Sequence, residues 1–352
     1  MTRDTLVALV LGLAIIAGLI IAPFFLARYG TYILSLWAVT AIAAIGLNLT
    51  LGYAGQISLA QGAFVGIGAY TAAILTTTYG MPLFVAAILA LVACFVIGWL
   101  LGYPALRVQH HYLAFITLAF STLAWLVFRN EEWLTKGTYG IDNIPRPEIF
   151  GLSFNKPMPF YYLCLSVLGL VCLAFYGLIR SPWGRAFVAL RENPLRAQSL
   201  GVDTRMYTLM AFAIGSALGG LSGVLYAPLV KFVDPNPFTL SLSLNLLLMV
   251  IVGGQGFFLG PLLGAMIAVL LPELFRLYSG VSTFDLFGWQ MHVDFGVIGQ
   301  YYLILYALFV MLLLVWSPTG LLGILDTWLT NRKTRAASAA RASATATFTK
   351  EA

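Results

Sequence analysis

Leu83 to Gly102 reads LFVAAILALVACFVIGWLLG, twenty residues without a charge, an amide or a proline. A helix rises about 1.5 Å per residue, so this run spans about 30 Å, the thickness of a bilayer's hydrocarbon core. Runs of the same kind lie near 5–23, 31–51, 57–77, 106–128, 159–179, 206–230, 238–256, 260–278 and 297–316. The chain therefore reads as an all-α integral membrane protein, a polytopic bundle of about ten transmembrane helices. Composition agrees: 61% of the 352 residues are hydrophobic and 9% charged, with a mean hydropathy of +0.92. Soluble domains carry about 25% charged residues, so this chain has too few to cover a water-facing surface. The first run follows Arg3, yet no small-x-small cleavage site closes it and Pro23-Phe24-Phe25 follows. It reads as a retained helix and not as a signal peptide.

Orientation follows from Lys and Arg in the short loops. Segment 180–205 carries Arg180, Arg185, Arg191, Arg196 and Arg205 against Glu192 and Asp203, whereas loop 279–295 has Asp285 and Asp294 and no Lys or Arg. Loop 129–158 is mixed. An even number of spans places both termini and the Arg-rich segment in the cytoplasm, with loops 129–158 and 279–295 outside. The expected organisation is a membrane domain over 1–325. A disordered cytoplasmic tail follows over 326–352, where Ala, Ser, Thr and Arg replace the large apolar residues.

Several classes are excluded. No G-x-x-x-x-G-K-[ST] cradles a nucleotide, and no G-x-S-x-G elbow presents a nucleophile. His110, His111 and His292 have no acidic or Cys partners at metal-ligand spacing. The net charge of +6 is not gathered into a basic, aromatic-interleaved stripe. No enzyme activity, metal, cofactor or nucleic-acid partner is expected, and Cys94, Cys164 and Cys172 read as packing residues. Gly215, Gly219, Gly220 and Gly223 recur with Ser216 and Ser222 at spacings that let helices pack closely in lipid.

Three segments interrupt the apolar pattern. In the first, Ser181 to Gly201, Asn193 suits a helix N-cap, Pro194 the first helical position and Gly201 the left-handed position past the end. This short Arg-bearing helix is either a docking element for a soluble partner or a solvated connection. In the second, Leu51 to Phe64, two glycines and Gln56, Ser58 and Gln61 break a helix. Irregular backbone in a bilayer must be buried in protein or line a wet cavity, so these polar residues either line a translocation path or brace helices. The third, Val252 to Pro261, is a glycine-rich helix–turn–helix.

In this order and spacing the segments resemble the permease subunits of ATP-binding-cassette importers for branched-chain amino acids. The resemblance runs from about residue 40 to 323. It is carried by Gly52-Tyr53-Ala54-Gly55-Gln56-Ile57-Ser58-Leu59, Gly140 to Pro147, Ser181 to Gly201, Gly253-Gly254-Gln255-Gly256 and Ser317 to Gly323. It implies a fold similar to the vitamin-B12-importer type of permease in a bacterial inner membrane. A homologous permease subunit, two ATPase subunits that alone hydrolyse ATP, and a periplasmic substrate-binding protein would be its partners. Arg191, Glu192, Asn193, Pro194, Arg196 and Gly201 would then belong to the element that couples ATPase motion to alternating access. Bulk at Ala197 or removal of Arg191 is expected to uncouple transport. Similar permeases carry urea, short amides and aromatic acids, so the cargo is a branched-chain amino acid or a related small polar solute. The alternative, a stand-alone secondary transporter, calls for ionisable residues inside the spans. These are scarce; Glu273 and Arg276 lie toward one end of their run.

Overall fold

A computed structural model describes residues 17–105, 110–149, 152–277, 284–286, 289–291, 302–316 and 320–324. The expected tail at 326–352, His292 and Ser317 to Thr319 lie outside the described residues, as do the first part of run 5–23 and most of loop 279–295. What is described is overwhelmingly helical. Residues 17–25 form α1, and α2 (Arg28–Asn48) continues into a π-helical turn, Leu49–Tyr53. Next come α3 (Gln61–Thr77), α4 (Leu83–Ala105) and α5 (His110–Asn130). Beyond the short α6 (Glu132–Thr135) and a two-residue hairpin of β1 (Glu148–Ile149) and β2 (Leu152–Ser153) lies α7 (Pro157–Arg180). The Arg-rich segment forms α8 (Pro182–Glu192) and α9 (Pro194–Ser199). Then follow α10 (Thr204–Val230), α11 (Leu240–Gly253), α12 (Gly260–Leu277), a hairpin of β3 (Phe284–Leu286) and β4 (Trp289–Met291), and α13 (Tyr302–Trp316).

Among the described residues, five helices are long and apolar enough to cross a membrane: Arg28–Tyr53, Leu83–Tyr103, Leu113–Asn130, Pro157–Arg180 and Thr204–Val230. They divide by burial. The apolar windows of α2 and α10 are 78% buried, those of α4 and α5 28% and that of α7 22%. Helices α2 and α10 are therefore the axis of the bundle and the others present most of their surface outward. Lipid is as apolar as leucine, so burial gives little drive between such helices and close van der Waals approach must hold them. The small residues of α10 provide it. A Cβ on Gly215 would press on the carbonyl of Gly46 in α2, and one on Gly220 on Cys94 in α4. One on Gly223 would overlap the carbonyl of Val65 in α3, and one on Gly68 that of Gly220. These contacts also set direction: α3 runs parallel to α10, because Gln61 lies by Gly219 and Ala69 by Gly223. Helix α4 runs antiparallel, with Gly98 by Ser216 and Gly102 by Leu209.

Helix α1 is held by a different device. Pro23 has no N–H, so the Leu19 carbonyl four residues back loses its helical donor. The Tyr161 hydroxyl of α7 donates to that carbonyl at 2.9 Å, and Tyr162 donates to Ile20 at 2.8 Å. Tyr161→Phe is expected to cost about 1 kcal/mol by orphaning a half-buried acceptor, read as a lower melting temperature in detergent. Tyr162→Phe should cost less, because Ile20 faces Phe24, which has its own N–H.

The helix expected to begin at residue 57 begins instead at Gln61. Residues 55–60 are not helical, and Gly55 takes φ +69°. The Gln61 side chain reaches Ala43, ten residues before Tyr53, so the irregular stretch climbs back about 15 Å into the bundle. That is about half the hydrocarbon thickness.

Candidate coupling junction

The segment between α7 and α10 is built by its caps. Ser181 is the N-cap of α8, its Oγ accepting from the Trp183 N–H at 3.2 Å with Pro182 behind it. Gly184 makes the corner possible, since a Cβ there would overlap the backbone of Ile179. Phe187 and Leu190 then bury the inner face of α8. Asn193 breaks the helix with extended backbone and caps α9, Oδ1 accepting from the Arg196 N–H at 3.0 Å. Pro194 follows as the first helical residue, and Gly201 takes φ +83° past the end. Glu192 and Arg196 are exposed. Ala197 is not: it is 2% exposed, turned toward the bundle, while Leu195 and Leu200 are 76% and 83% exposed. Bulk at Ala197 therefore strikes the protein's own packing, and the outward apolar face of α9 is Leu195 and Leu200.

Arg191 leaves this segment sideways. Its Nη1 donates to the carbonyl of Gly52 at 2.6 Å, inside the π-helical turn that ends α2. A carbonyl there is available because the turn bonds irregularly: Ala54 donates to Leu49 at 3.0 Å and Gln56 to Thr50 at 2.8 Å. The backbone of Gly55 lies against the Arg191 stem, with Cα 3.4 Å from where a Cβ would be. On the other side stands the glycine turn between α11 and α12. Asn48 of α2 binds it twice, Nδ2 donating to the Phe257 carbonyl at 3.0 Å and Oδ1 accepting from Gly256 N–H at 2.9 Å. A Cβ on Gly256 would strike the Arg191 guanidinium, and its φ of +80° favours glycine in any case. Gly320, at φ +77°, packs on the backbone of Gly254. Four segments far apart in sequence thus meet at one end of the bundle, with Arg191 as the charged link.

The interior of the break is stapled by side chains. Leu59 N–H donates to Thr117 Oγ1 of α5 at 3.0 Å, and Gly62 N–H to Ser243 Oγ of α11 at 2.9 Å. Ser58, buried, accepts from Ala60 N–H at 3.3 Å. Gln61 gives both amide hydrogens to backbone, at 3.0 Å to Ala43 of α2 and 3.1 Å to Gly215 of α10. It braces three helices. Gln56 is half-buried near Arg191 and donates to Ala54 at 3.4 Å. Asn48, Thr117 and Ser243 were not singled out from sequence. Asn48 carried a signal, as the lone amide in an apolar run, but Thr117 and Ser243 act on residues 58 and 181 positions away.

At the opposite end, Arg146 ties the loop after α5 to the bundle. Its Nη1 donates to Asn155 at 2.8 Å and its guanidinium stacks on Phe160 at 5.0 Å. Burial lowers its pKa from the usual guanidinium value.

Comparison with known proteins follows the same segments. A family described as "Branched-chain amino acid transport system / permease component" matches residues 29–315. The high-affinity branched-chain amino acid transport system permease protein LivM of Escherichia coli K12 is 32% identical over 88% of this chain and 74% of its own length. BraD of Pseudomonas aeruginosa, a permease of the same kind of system, is 26% identical over 80% of this chain and 91% of its own. The autoinducer 2 import system permease protein LsrC of Salmonella typhimurium is 25% identical over 67% of each. No solved structure matches the chain.

Proposed function

The chain belongs to the permease components of branched-chain amino acid transport systems, and from that premise we propose that it is half of an ATP-driven importer's membrane pathway. It would pair with a homologous permease and receive a branched-chain amino acid or a related small polar solute from a periplasmic binding protein. Two separate ATPase subunits would drive it. The observation that carries this reading is the Arg191 link. A short exposed element on the Arg-rich side, capped to hold its shape, is bonded to the π-helical turn where the central span α2 loses regular structure. Motion delivered to α8 and α9 is passed by Arg191 to Gly52 and by Asn48 to the α11–α12 turn. The break at 54–60 then lets α2 and α3 move as separate bodies. In this scheme Gln56 and Ser58 lie on the path, Gln61 braces it, and Glu192, Asn193, Pro194, Arg196 and Gly201 shape the coupling element.

The directions of the packed helices fit ten crossings in a bacterial inner membrane, with both termini and segment 180–205 in the cytoplasm by the excess of Arg. Residues 1–325 would form one membrane domain in an arrangement like that of the vitamin-B12 importer.

The test is co-purification from native membranes followed by reconstitution. A P-loop ATPase and a second permease should accompany the tagged chain, and solute uptake should require ATP and the binding protein. A chain that purifies alone and carries solute without ATP sinks the reading in favour of a secondary transporter. Leu195→Asp with Leu200→Asp should release the ATPase while the permease still elutes as a single folded species. Retention of the ATPase by that variant would remove α9 from the docking surface.

A further inference from the structure

Helices α7 and α12 both pack on α2 and leave a groove of about 800 Å³ between them. Trp37 of α2 forms its floor, Leu165, Gly169 and Leu173 line the α7 wall, and Leu259 and Leu262 the wall at α12. Helix α1 closes one end with Leu19 and Ile20, where the Tyr162 hydroxyl crosses to it. Tyr176 and Phe258 mark the other end, their rings edge to face at 5.6 Å. From Tyr162 to Tyr176 the helix rises about 21 Å, more than the roughly 15 Å depth of one leaflet's hydrocarbon.

The groove is apolar because its polar atoms are spent. Trp37 Nε1 donates to the Leu262 carbonyl at 3.1 Å, and Ser166 Oγ to that of Leu163 at 2.8 Å. The middle is open, since a Cβ on Gly169 would meet nothing within 4 Å. Its mouth faces lipid: Leu170 and Leu173 are 68% and 74% exposed on a helix apolar enough to span.

Charge stands at one end of it. Arg180 lies one turn beyond Tyr176, its guanidinium over that ring at 4.4 Å from the centre. The side chain is exposed, and among the described residues no carboxylate pairs with it. Stacking on a ring leaves the N–H donors of the guanidinium free for an anion. By the excess of Arg this end faces the cytoplasm, where anionic headgroups gather. A long apolar groove open to lipid takes an acyl chain, and a planar guanidinium at its end takes a phosphate.

We propose that the groove binds one phospholipid of the inner leaflet with a negatively charged headgroup, an acyl chain lying along α7 and the phosphate at Arg180. A lipid seated so reaches the coupling junction. Phe258 stacks on Phe175 at 6.0 Å, and Phe175 meets Tyr53 of the π-helical turn edge-on at 5.6 Å. The neighbouring Phe257 carbonyl takes the Asn48 amide. The chain thus braces the α11–α12 turn from the membrane side. The proposal rests on the importer reading for its orientation.

The experiment uses the assembly purified from native membranes and placed in phosphatidylcholine nanodiscs. These carry a trace of phosphatidylglycerol or phosphatidylcholine with a photoactivatable diazirine on one acyl chain. Crosslinks located by peptide mass spectrometry should fall on α7 between Leu165 and Tyr176 and on Phe258 to Leu262. Phosphatidylglycerol should label these peptides about fivefold more than phosphatidylcholine, the effect of one cation near a membrane surface. Arg180→Gln should bring the two lipids level. Gly169→Trp fills the groove where there is room for a side chain and should abolish both labels there. Labelling of the lipid-facing side of α4 reports bulk lipid and should be the same in both variants. Equal labelling of the groove by the two lipids, unchanged in Arg180→Gln, overturns the site and leaves bulk lipid only. A groove without label while α4 is labelled also overturns it, in favour of a second subunit or residues 1–16 as the occupant. These readouts need no transport, so a failure of ATP-driven uptake counts against the importer reading and not against the site.

Discussion

Arg191→Ala is expected to lower solute uptake by the reconstituted importer by about tenfold or more, the middle of the range for coupling free energies of roughly 1–3 kcal/mol, while the bundle stays folded. The guanidinium is exposed on one side and bonded on the other to Gly52. Its loss leaves one carbonyl, near the end of a span, that water can reach. The net stability cost is therefore about 1 kcal/mol, small against the loss of transmission. Asn48 still ties α2 to the Phe257 turn, so that part of the junction stays assembled but no longer follows α8. The expected signature is ATP hydrolysis that persists and no longer tracks uptake. Arg191→Lys should recover only part of the function, because a compact ammonium does not reproduce the flat guanidinium whose Nη1 bonds Gly52 beside Gly256. Gly256→Ala should resemble Arg191→Ala, since its Cβ takes the guanidinium's place. Uptake and ATPase activity unchanged in Arg191→Ala would remove the link from the mechanism.

What could be read in sequence followed from how local each signal was. The run at Leu83 needs only its own hydropathy to declare a span, and α4 covers it end to end. Asn193, Pro194 and Gly201 specify α9 through caps that act within a few residues. The break after Tyr53 was visible through its glycines and amides, but not its end. Ile57-Ser58-Leu59-Ala60 is as apolar as a helix, yet it stays irregular while Thr117 of α5 takes the Leu59 N–H and Ser243 of α11 takes the Gly62 N–H in the first turn of α3. Such partners have no fixed sequence spacing. The same holds for Ala197, whose burial depends on the bundle behind α9, and for Arg191, whose acceptor lies 139 positions away. Gln61 was open between path and brace; its two carbonyl acceptors on different helices supply the brace.

Gly223→Leu should yield no folded permease, and Gly223→Ala a permease weakened by about 1–3 kcal/mol, the usual cost of overpacking. What a Cβ meets here is backbone, the carbonyl of Val65 and the Ala69 nitrogen at 2.7 Å. No rotamer can relieve that, so α3 and α10 must separate. Separation also lengthens the bond from Gln61 to Gly215, at 3.1 Å already the longer of its pair. The control is Gly169 in α7, where a Cβ meets nothing within 4 Å; Gly169→Ala should leave the melting temperature unchanged or raise it, alanine being the better helix former. Gly68 tests the mechanism, because its Cβ would strike the Gly220 backbone across the same interface. If each alanine acts by prising α3 from α10, the first substitution makes room for the second. The double variant Gly68→Ala, Gly223→Ala should then lose less stability than the two single losses added, a shortfall of about 0.5 kcal/mol or more. Strict additivity in thermal unfolding would mean that each glycine is needed locally, and that α3 and α10 do not move apart as one rigid pair.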